Sequence, residues 1–323
     1  MTHAIRIHEN GGPEVLRWEE VEVGDPGPGE IRLRQHAVGL NFIDVYHRTG
    51  LYKQPLPFTP GVAAAGTVEA VGTDVSDIRI GDRVAYGGPV GAYAEARLVA
   101  ADRVVPLPDA IEFDQAAGMM LQGMTAEMLV RSVYPVKSGD TILVQAAAGA
   151  VGLILCQWAS ALGATVIGTV STDEKAELAR ANGCTHPIVY TRQDFVAEVE
   201  RITEGKKVAI VYDGVGRDTF MKSLDCLRRR GMMVSFGNAS GAVDPFSPTI
   251  LAQKGSLFLT RPTLYDYTKG TEELRQSARE LFAMVESGKV RIDIKQRFAL
   301  KDAAEAHRAL EARKTSGSTI LTV

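Results

Sequence analysis

The sequence predicts an α/β protein in two parts: a doubly wound parallel sheet and a separate β-rich, barrel-like domain. Three observations carry this. Over the first third, short apolar-alternating runs are separated by Gly, Pro and Asp. Beyond about residue 112, strand-like and helix-like runs alternate. One strand-like run, 141–145, passes through a turn of small residues straight into a helix. Short strands at close spacing suit an antiparallel barrel, and a βαβα rhythm suits a parallel sheet with helical crossovers.

The β-rich part rests on Ile31–Arg34, Gly66–Val71, Gly81–Tyr86 and Ala92–Val99, with turns at Pro26–Gly29 and Gly87–Pro89. A helical period then covers Asp114–Val133. The expected order continues as strand 141–145, helix 151–162 closed by Gly163, and strand 164–170. Helix 172–182 follows, with a capping box read at Ser171-x-x-Glu174. Strand 187–190, a helix from Asp194, strand 208–213, helix 217–229 and strands 231–236 and 256–260 complete that part. The tail reads as helix 272–287, strand 290–298, helix 301–313 and strand 318–323, a spacing that suits a return to the first domain. The expected division is residues 1–120 with 265–323, and 121–264.

The chain has 323 residues, 45% hydrophobic and 23% charged, enough to bury one or two full cores. Its net charge of −3 and lack of any Lys/Arg block argue against nucleic acid and anionic membrane as partners. No apolar run is long enough to span a bilayer. Met1–Arg17 alternates with polar residues and has no signal-peptide core, so the cytoplasm is expected. Cys156, Cys184 and Cys226 form no CxxC pair and read as buried thiols.

Ala146-Ala-Ala-Gly-Ala-Val-Gly152 lies between strand 141–145 and a helix, the context a dinucleotide fingerprint requires. Small residues let the backbone approach a pyrophosphate, and the helix N–H groups meet its charge. Ala147 stands at the first position of the motif, where a strict GxGxxG has Gly, so Gly149-x-x-Gly152 supplies the last two glycines. NAD sites place Asp or Glu about 20 residues on, at the ribose 2′-OH. Here Gly168-Thr-Val-Ser171 has no carboxylate, while Ser171 and Lys175 suit a 2′-phosphate. NADPH is therefore the expected cofactor. Asp173 and Glu174 are accounted for by the dipole of the helix they begin.

Asn41-Phe-Ile-Asp44 and Pro60-Gly-Val-Ala63 resemble alcohol dehydrogenase segments whose zinc ligands are gone. Asn41 stands in place of a Cys, and Val62-Ala63 in place of His-Glu. With no four-Cys lobe and no i,i+4 His pair, metal-assisted chemistry is not expected.

Taken together, these segments resemble the zinc-independent quinone oxidoreductases, the zeta-crystallin-like branch of the medium-chain dehydrogenase/reductase superfamily. The likeness spans essentially the whole chain. It rests also on Asn41–Tyr46, Gly50-Leu-Tyr52, Pro60–Gly66, Gly81–Val84, Gln122–Ala126, Tyr212–Gly216, Ser235–Asn238 and Thr260-Arg-Pro262. It implies a GroES-like catalytic domain completed by the tail, a Rossmann domain, and NADPH. It implies that Asn41, Tyr46 and Thr125 lie near the nicotinamide. Ala147, Ala148, Gly149, Ala150, Val151 and Gly152 would cradle the pyrophosphate, and Ser171, Lys175 and Tyr190 would surround the 2′-phosphate. Phe236, Gly237 and Asn238 would flank the nicotinamide ribose, and Arg313 would close on the cofactor. The sequence departs from the pattern at Ala63, where relatives often carry an acid, and at Ala150, where many carry a second Gly.

Asn41, Tyr46 and Tyr52 are the candidate catalytic residues, with packing aromatics and a turn-bonding Asn as the plainer readings. Asp44 is as well suited to cap a helix at Val45 as to act in catalysis. Arg261 suits substrate or its own chain. The leading activity is hydride or electron transfer from NADPH to a quinone-like acceptor. The alternatives are reduction of an activated C=C bond, as in alkenal or enoyl reductases, and a non-catalytic crystallin or RNA-binding role. The resemblance also implies a homodimer through an edge of the parallel sheet.

Overall fold

The computed structural model describes residues 2–323, which divide into two compact units: 2–124 with 268–286 and 292–323, and 125–267 with 287–291.

The first unit opens with the antiparallel pair β1 (Thr2–Arg6) and β2 (Arg17–Val21). Then follow β3 (Glu30–Leu40), α1 (Phe42–Arg48), β4 (Ala63–Val71), β5 (Arg83–Gly87), β6 (Ala96–Ala100), β7 (Val105–Pro106) and α2 (Phe113–Glu127). The long strand β3 is the spine of its sheet. It pairs antiparallel with β4 (Ile31↔Val71, Gly39↔Ala63) and with β6 (Ile31↔Val99). Its alternation puts Ile31 and Leu33 fully inside, in one core with Val68, Val84, Tyr86 and Tyr93. Residues 92–95 are not strand, although alternation suggested it. The Gln35 amide instead donates to the Ala92 carbonyl, which uses it in place of a ladder partner (2.8 Å). α2 continues into a π-helical turn over Met128–Val133 rather than as one uniform helix to Val133.

The second unit contains β8 (Thr141–Val144), α3 (Ala150–Ala161), β9 (Thr165–Val170), α4 (Asp173–Ala181), β10 (His186–Val189), α5 (Phe195–Ile202) and β11 (Val208–Asp213). It ends with α6 (Phe220–Asp225), β12 (Leu227–Ser235), α7 (Thr249–Gln253), β13 (Phe258–Thr260) and α8 (Leu264–Tyr267). The strands form one parallel sheet in the order β10-β9-β8-β11-β12-β13. The order turns back at β8, the switch point of a doubly wound sheet, where α/β proteins bind ligands beyond the strand C-termini. α6 is much shorter than the expected 217–229. It starts only after Thr219, and β12 already begins at Leu227, with Arg230 at φ +57.

The tail supplies α9 (Thr271–Glu286), β14 (Ile294–Ala299), α10 (Ala303–Glu311) and β15 (Ser318–Thr322). β15 pairs antiparallel with β3 (Thr319↔Leu40), so the chain end completes the first sheet. The tail is not all of one unit, however. The Gln157 side chain of α3 donates to the Arg291 carbonyl (3.0 Å) and accepts from its N–H (2.8 Å), which draws 287–291 to the second unit. No helix of the described residues is long and apolar enough to cross a membrane.

Candidate cofactor and active site

In the second unit, the glycine turn follows β8 as the strand–turn–helix pattern requires. Ala146 adopts a left-handed φ of +55, and Gly149 caps α3 without any side-chain hydrogen bond. The first helical bond is donated by Leu153 to Gly149 (2.9 Å). The amides of Ala150, Val151 and Gly152 thus sit in the first turn of a helix whose cap offers no side-chain acceptor, an arrangement suited to a phosphate. Gly152 is there for contact: a Cβ would collide with the Ala146 carbonyl and sit 2.9 Å from the Ala147 backbone. Ala147 and Ala148 are buried beneath the turn, so the absent first glycine is replaced by a methyl packed toward Gly168. These residues fit a dinucleotide.

At the C-terminal end of β9, Ser171 is half-buried and no carboxylate occupies the strand end. The cap of α4 lies one residue further on than the expected box. Thr172, not Ser171, accepts from the Lys175 N–H (3.3 Å). The reason is that the Ser171 backbone remains with the sheet margin, where its carbonyl accepts from Thr191 (3.1 Å). Asp173 does more than meet the helix dipole, because it forms a two-pronged ion pair with Arg192 that holds its carboxyl below the usual range. Arg192 was missed by sequence reading. Its only local signal is its place two residues after Tyr190, itself 39% exposed beside the strand end.

Beyond β11, buried Asp213 organises the next turn. Its carboxylate accepts from the Val215 and Gly216 amides (2.8 and 3.0 Å) and from Thr219 and Ser223 (2.7 and 3.1 Å). Burial raises its pKa, and those donors oppose the rise. Beyond β12, the Asn238 amide donates to the Gly237 carbonyl (2.9 Å) and accepts from Arg261 (3.3 Å). Arg261 also donates to the Ser235 carbonyl (2.8 Å), so it braces its own chain. Thr125 is half-buried near the end of α2.

In the first unit, α1 carries the catalytic candidates. Asn41 is its N-cap, and its amide nitrogen donates to the Gly39 carbonyl (3.1 Å). Asp44 does not cap a helix at Val45; it is the third residue of α1 and accepts from the Asn41 N–H (2.9 Å), completing a capping box. Tyr46 and Tyr52 are brought together edge to face, with ring centroids 5.2 Å apart. The Tyr52 N–H donates to the Tyr46 carbonyl (3.0 Å), which fixes the turn between them. His47 lies against Tyr52 (6.2 Å between centroids), and burial lowers its pKa to about 4. Arg313 lies just past α10 at φ +58.

Beneath α1 is a polar network that sequence reading did not detect. Arg48, 1% exposed, forms a two-pronged salt bridge with Glu311 (2.8 and 2.9 Å) and donates to the Gly11 carbonyl (3.1 Å). It also donates to His307 Nδ1 (3.0 Å). That leaves the proton of the neutral ring on Nε2, which points to Tyr93 Oη (3.1 Å), and Tyr93 in turn donates to Asp44 (3.0 Å). Burial, reinforced by Arg48, depresses the His307 pKa to about 3. Burial raises Asp44 to about 7 against its two hydrogen bonds. Gly61, at φ +90, admits the Tyr93 ring where any Cβ would strike it. This explains the Pro60-Gly61 turn without reference to metal ligands.

Val62 and Ala63 are fully buried apolar residues. Among the described residues, no group of three or more His, Cys, Asp or Glu is placed to hold a metal ion. The three cysteines are free and buried, and burial pushes Cys226 up to about 12.

A parallel doubly wound sheet with a fingerprint turn, together with a mostly antiparallel domain completed by β15, defines a medium-chain dehydrogenase/reductase. Residues 27–109 match the family of alcohol dehydrogenase GroES-like domains, and 150–284 the family of zinc-binding dehydrogenases. The chain is 52% identical to the quinone oxidoreductase of Pseudomonas aeruginosa over 99% of both chains. It is 47% identical to 2-haloacrylate reductase of a Burkholderia species, again over 99% of both. The crystal structure of Escherichia coli quinone oxidoreductase complexed with NADPH superposes with a TM-score of 0.98 at 49% identity, covering 99% of this chain and 100% of that one. The chain belongs to the quinone oxidoreductase family.

Proposed function

We infer that this protein is an NADPH-dependent quinone oxidoreductase that works without a metal. The observation that carries the reading is the turn 146–152, whose uncapped helix N-terminus is followed by a strand end lacking the acid of NAD sites. Full-length identity of about half to quinone oxidoreductases supports it. Metal independence follows from the donor set, since Asn41, Val62 and Ala63 stand where zinc relatives carry ligands.

Bound NADPH supplies a hydride. Negative charge then develops on the acceptor oxygen and must be met by fixed donors. Asn41 and the Tyr46–Tyr52 pair on and after α1 are the groups we assign to this end of the reaction. Quinone carbonyls are already electrophilic, and hydroquinone oxygens take protons from water, so no strong general base is needed. The remaining work is positioning. Ala147 to Gly152 hold the pyrophosphate. Ser171, Lys175 and Tyr190 hold the 2′-phosphate, with Arg192 added by its place beside them. Phe236 to Asn238 and Thr125 hold the nicotinamide end, and Arg313 closes on the cofactor.

The likeness to 2-haloacrylate reductase favours a second reading, reduction of an activated C=C bond, with Tyr46 or Tyr52 giving the proton to the α-carbon. The test is NADPH oxidation against a simple quinone, 2-chloroacrylate and an alkenal. Turnover fastest with the quinone is expected; turnover with the alkenes alone would replace this reading with the second. We place the enzyme in the cytoplasm as a homodimer joined along β13, the sheet edge where Phe258 and Leu259 are 57% and 37% exposed.

A further inference from the structure

The turn after β8 and the turn after β11 are connected by a single buried chain of hydrogen bonds whose direction is fixed throughout. The Ala146 N–H can only donate, and it donates to Thr169 Oγ1 (3.2 Å). The Thr169 proton therefore goes to Gln145 Oε1 (2.5 Å). With Oε1 an acceptor, Gln145 Nε2 donates to Ser223 Oγ (3.0 Å), and the Ser223 proton goes to Asp213 Oδ2 (3.1 Å). Thr169, Gln145, Ser223 and Asp213 are each 2% exposed or less. Each hydroxyl has one proton and one assigned acceptor, so no member can turn without leaving a buried group unpaired.

The two ends of this chain are places where the backbone is held tightly. Ala146 is a non-glycine residue in the left-handed region, a conformation kept only when its surroundings enforce it. Its neighbour Ala147 donates to the carbonyl of the same Thr169 (2.9 Å). At the far end, Asp213 gathers the amides of Val215 and Gly216. Gly214 in that turn packs so closely on Gly237 that a Cβ on Gly237 would lie 2.8 Å from the Gly214 Cα. One relay thus joins the turn assigned to the pyrophosphate with the segment assigned to the nicotinamide ribose.

We propose that Gln145, through Thr169 and Ser223, is a positioning residue for NADPH that sets the conformation of the pyrophosphate turn after β8 and its spacing from the turn after β11, against which the ribose segment packs. This rests on the assignment of turn 146–152 to the cofactor. Gln145 touches no reacting atom; it acts through backbone held by others. Its loss raises KM for NADPH and leaves turnover at saturation and KM for the quinone near their original values.

The experiment compares Thr169→Val, Thr169→Ser and Gln145→Leu in the full chain by steady-state kinetics, NADPH fluorescence titration and melting temperature. Gly152→Ala is the control for the cofactor turn. Unpairing a buried group of this kind costs a factor of about ten, so Thr169→Val and Gln145→Leu should raise KM and Kd for NADPH about tenfold. Thr169→Ser keeps the hydroxyl and should restore tight binding. If Gln145→Leu does not fold, the Thr169 pair alone decides. Unchanged NADPH affinity in Thr169→Val overturns the proposal, as does a lower melting temperature with lower kcat and unchanged KM. If Gly152→Ala also binds NADPH normally, the cofactor-turn assignment fails as well. Weakened binding in Gly152→Ala with none in Thr169→Val sinks the relay alone.

Discussion

Arg48 donates to His307 across 259 residues of sequence, at 3.0 Å, and so sets the tautomer of a buried histidine. His307 holds Tyr93, Tyr93 holds Asp44, and Asp44 closes the capping box of the helix bearing Tyr46.

This network, with the neighbouring buried His47, gives stability a defined pH dependence. His307 and His47 have folded pKa values depressed to about 3 and about 4. Their stabilisation is present above the unfolded value near 6.5 and is lost as pH falls. Asp44, raised to about 7, acts in the opposite direction, and its stabilisation is lost as pH rises from about 4 to 7. Between pH 4 and 6.5 the three groups together leave a net uptake of about one proton on unfolding. His307→Gln removes one histidine and should lower the slope of stability against pH in this window by about 1.4 kcal/mol per pH unit. Urea unfolding at pH 4.5 and 6.5 measures it; equal slopes in variant and wild type would refute the buried neutral histidine.

Gly61→Ala should destabilise the protein by about 1–3 kcal/mol, since it adds a methyl where the Tyr93 ring packs and forces alanine to φ +90. Thermal unfolding checks this. Tyr93→Phe in the Gly61→Ala background should not restore stability, because the clash is with the ring and not with its hydroxyl.

Lys175→Ala should weaken NADPH binding about ten- to a hundredfold, the effect of one charged hydrogen bond, with NADH binding little changed. Arg192→Ala should act in the same direction if its guanidinium, now paired with Asp173, also meets the 2′-phosphate. Titration with both nucleotides decides, and equal losses for the two would remove either residue from the phosphate site.

Tyr46→Phe and Asn41→Ala should lower kcat with a simple quinone by less than the hundred- to thousandfold of about one lost oxyanion donor, because water can substitute. NADPH affinity should stay near wild type in Tyr46→Phe. Wild-type rates in both would make the tyrosine pair and the cap residue packing only. Loss confined to alkene reduction would favour the second reading.

Phe258→Glu should shift the protein to monomers by placing a charge on the exposed edge strand β13. Sedimentation at micromolar concentration reports it, and an unchanged dimer would locate the interface elsewhere.

The sequence by itself determined what depends on near neighbours. Alternation at Ile31–Arg34 showed β3, the continuous apolar run 208–213 within a βαβα rhythm showed β11, small residues between a strand and a helix marked the turn at 146–152, and the missing acid after β9 pointed to NADPH. These signals are local because strand period, turn chemistry and helix capping act over a few residues. Even so, the cap of α4 fell one residue later than its box suggested, because Thr191 holds Ser171 with the sheet. Only the tertiary structure decided which distant side chains meet. Asp44 read equally as a cap or a catalytic group until Tyr93 and His307 were brought beneath α1. Thr169, Gln145 and Ser223 had no signal at all, since each is an ordinary polar residue on its own element. Their significance comes from burial, which forces every donor to find an acceptor wherever the fold places one.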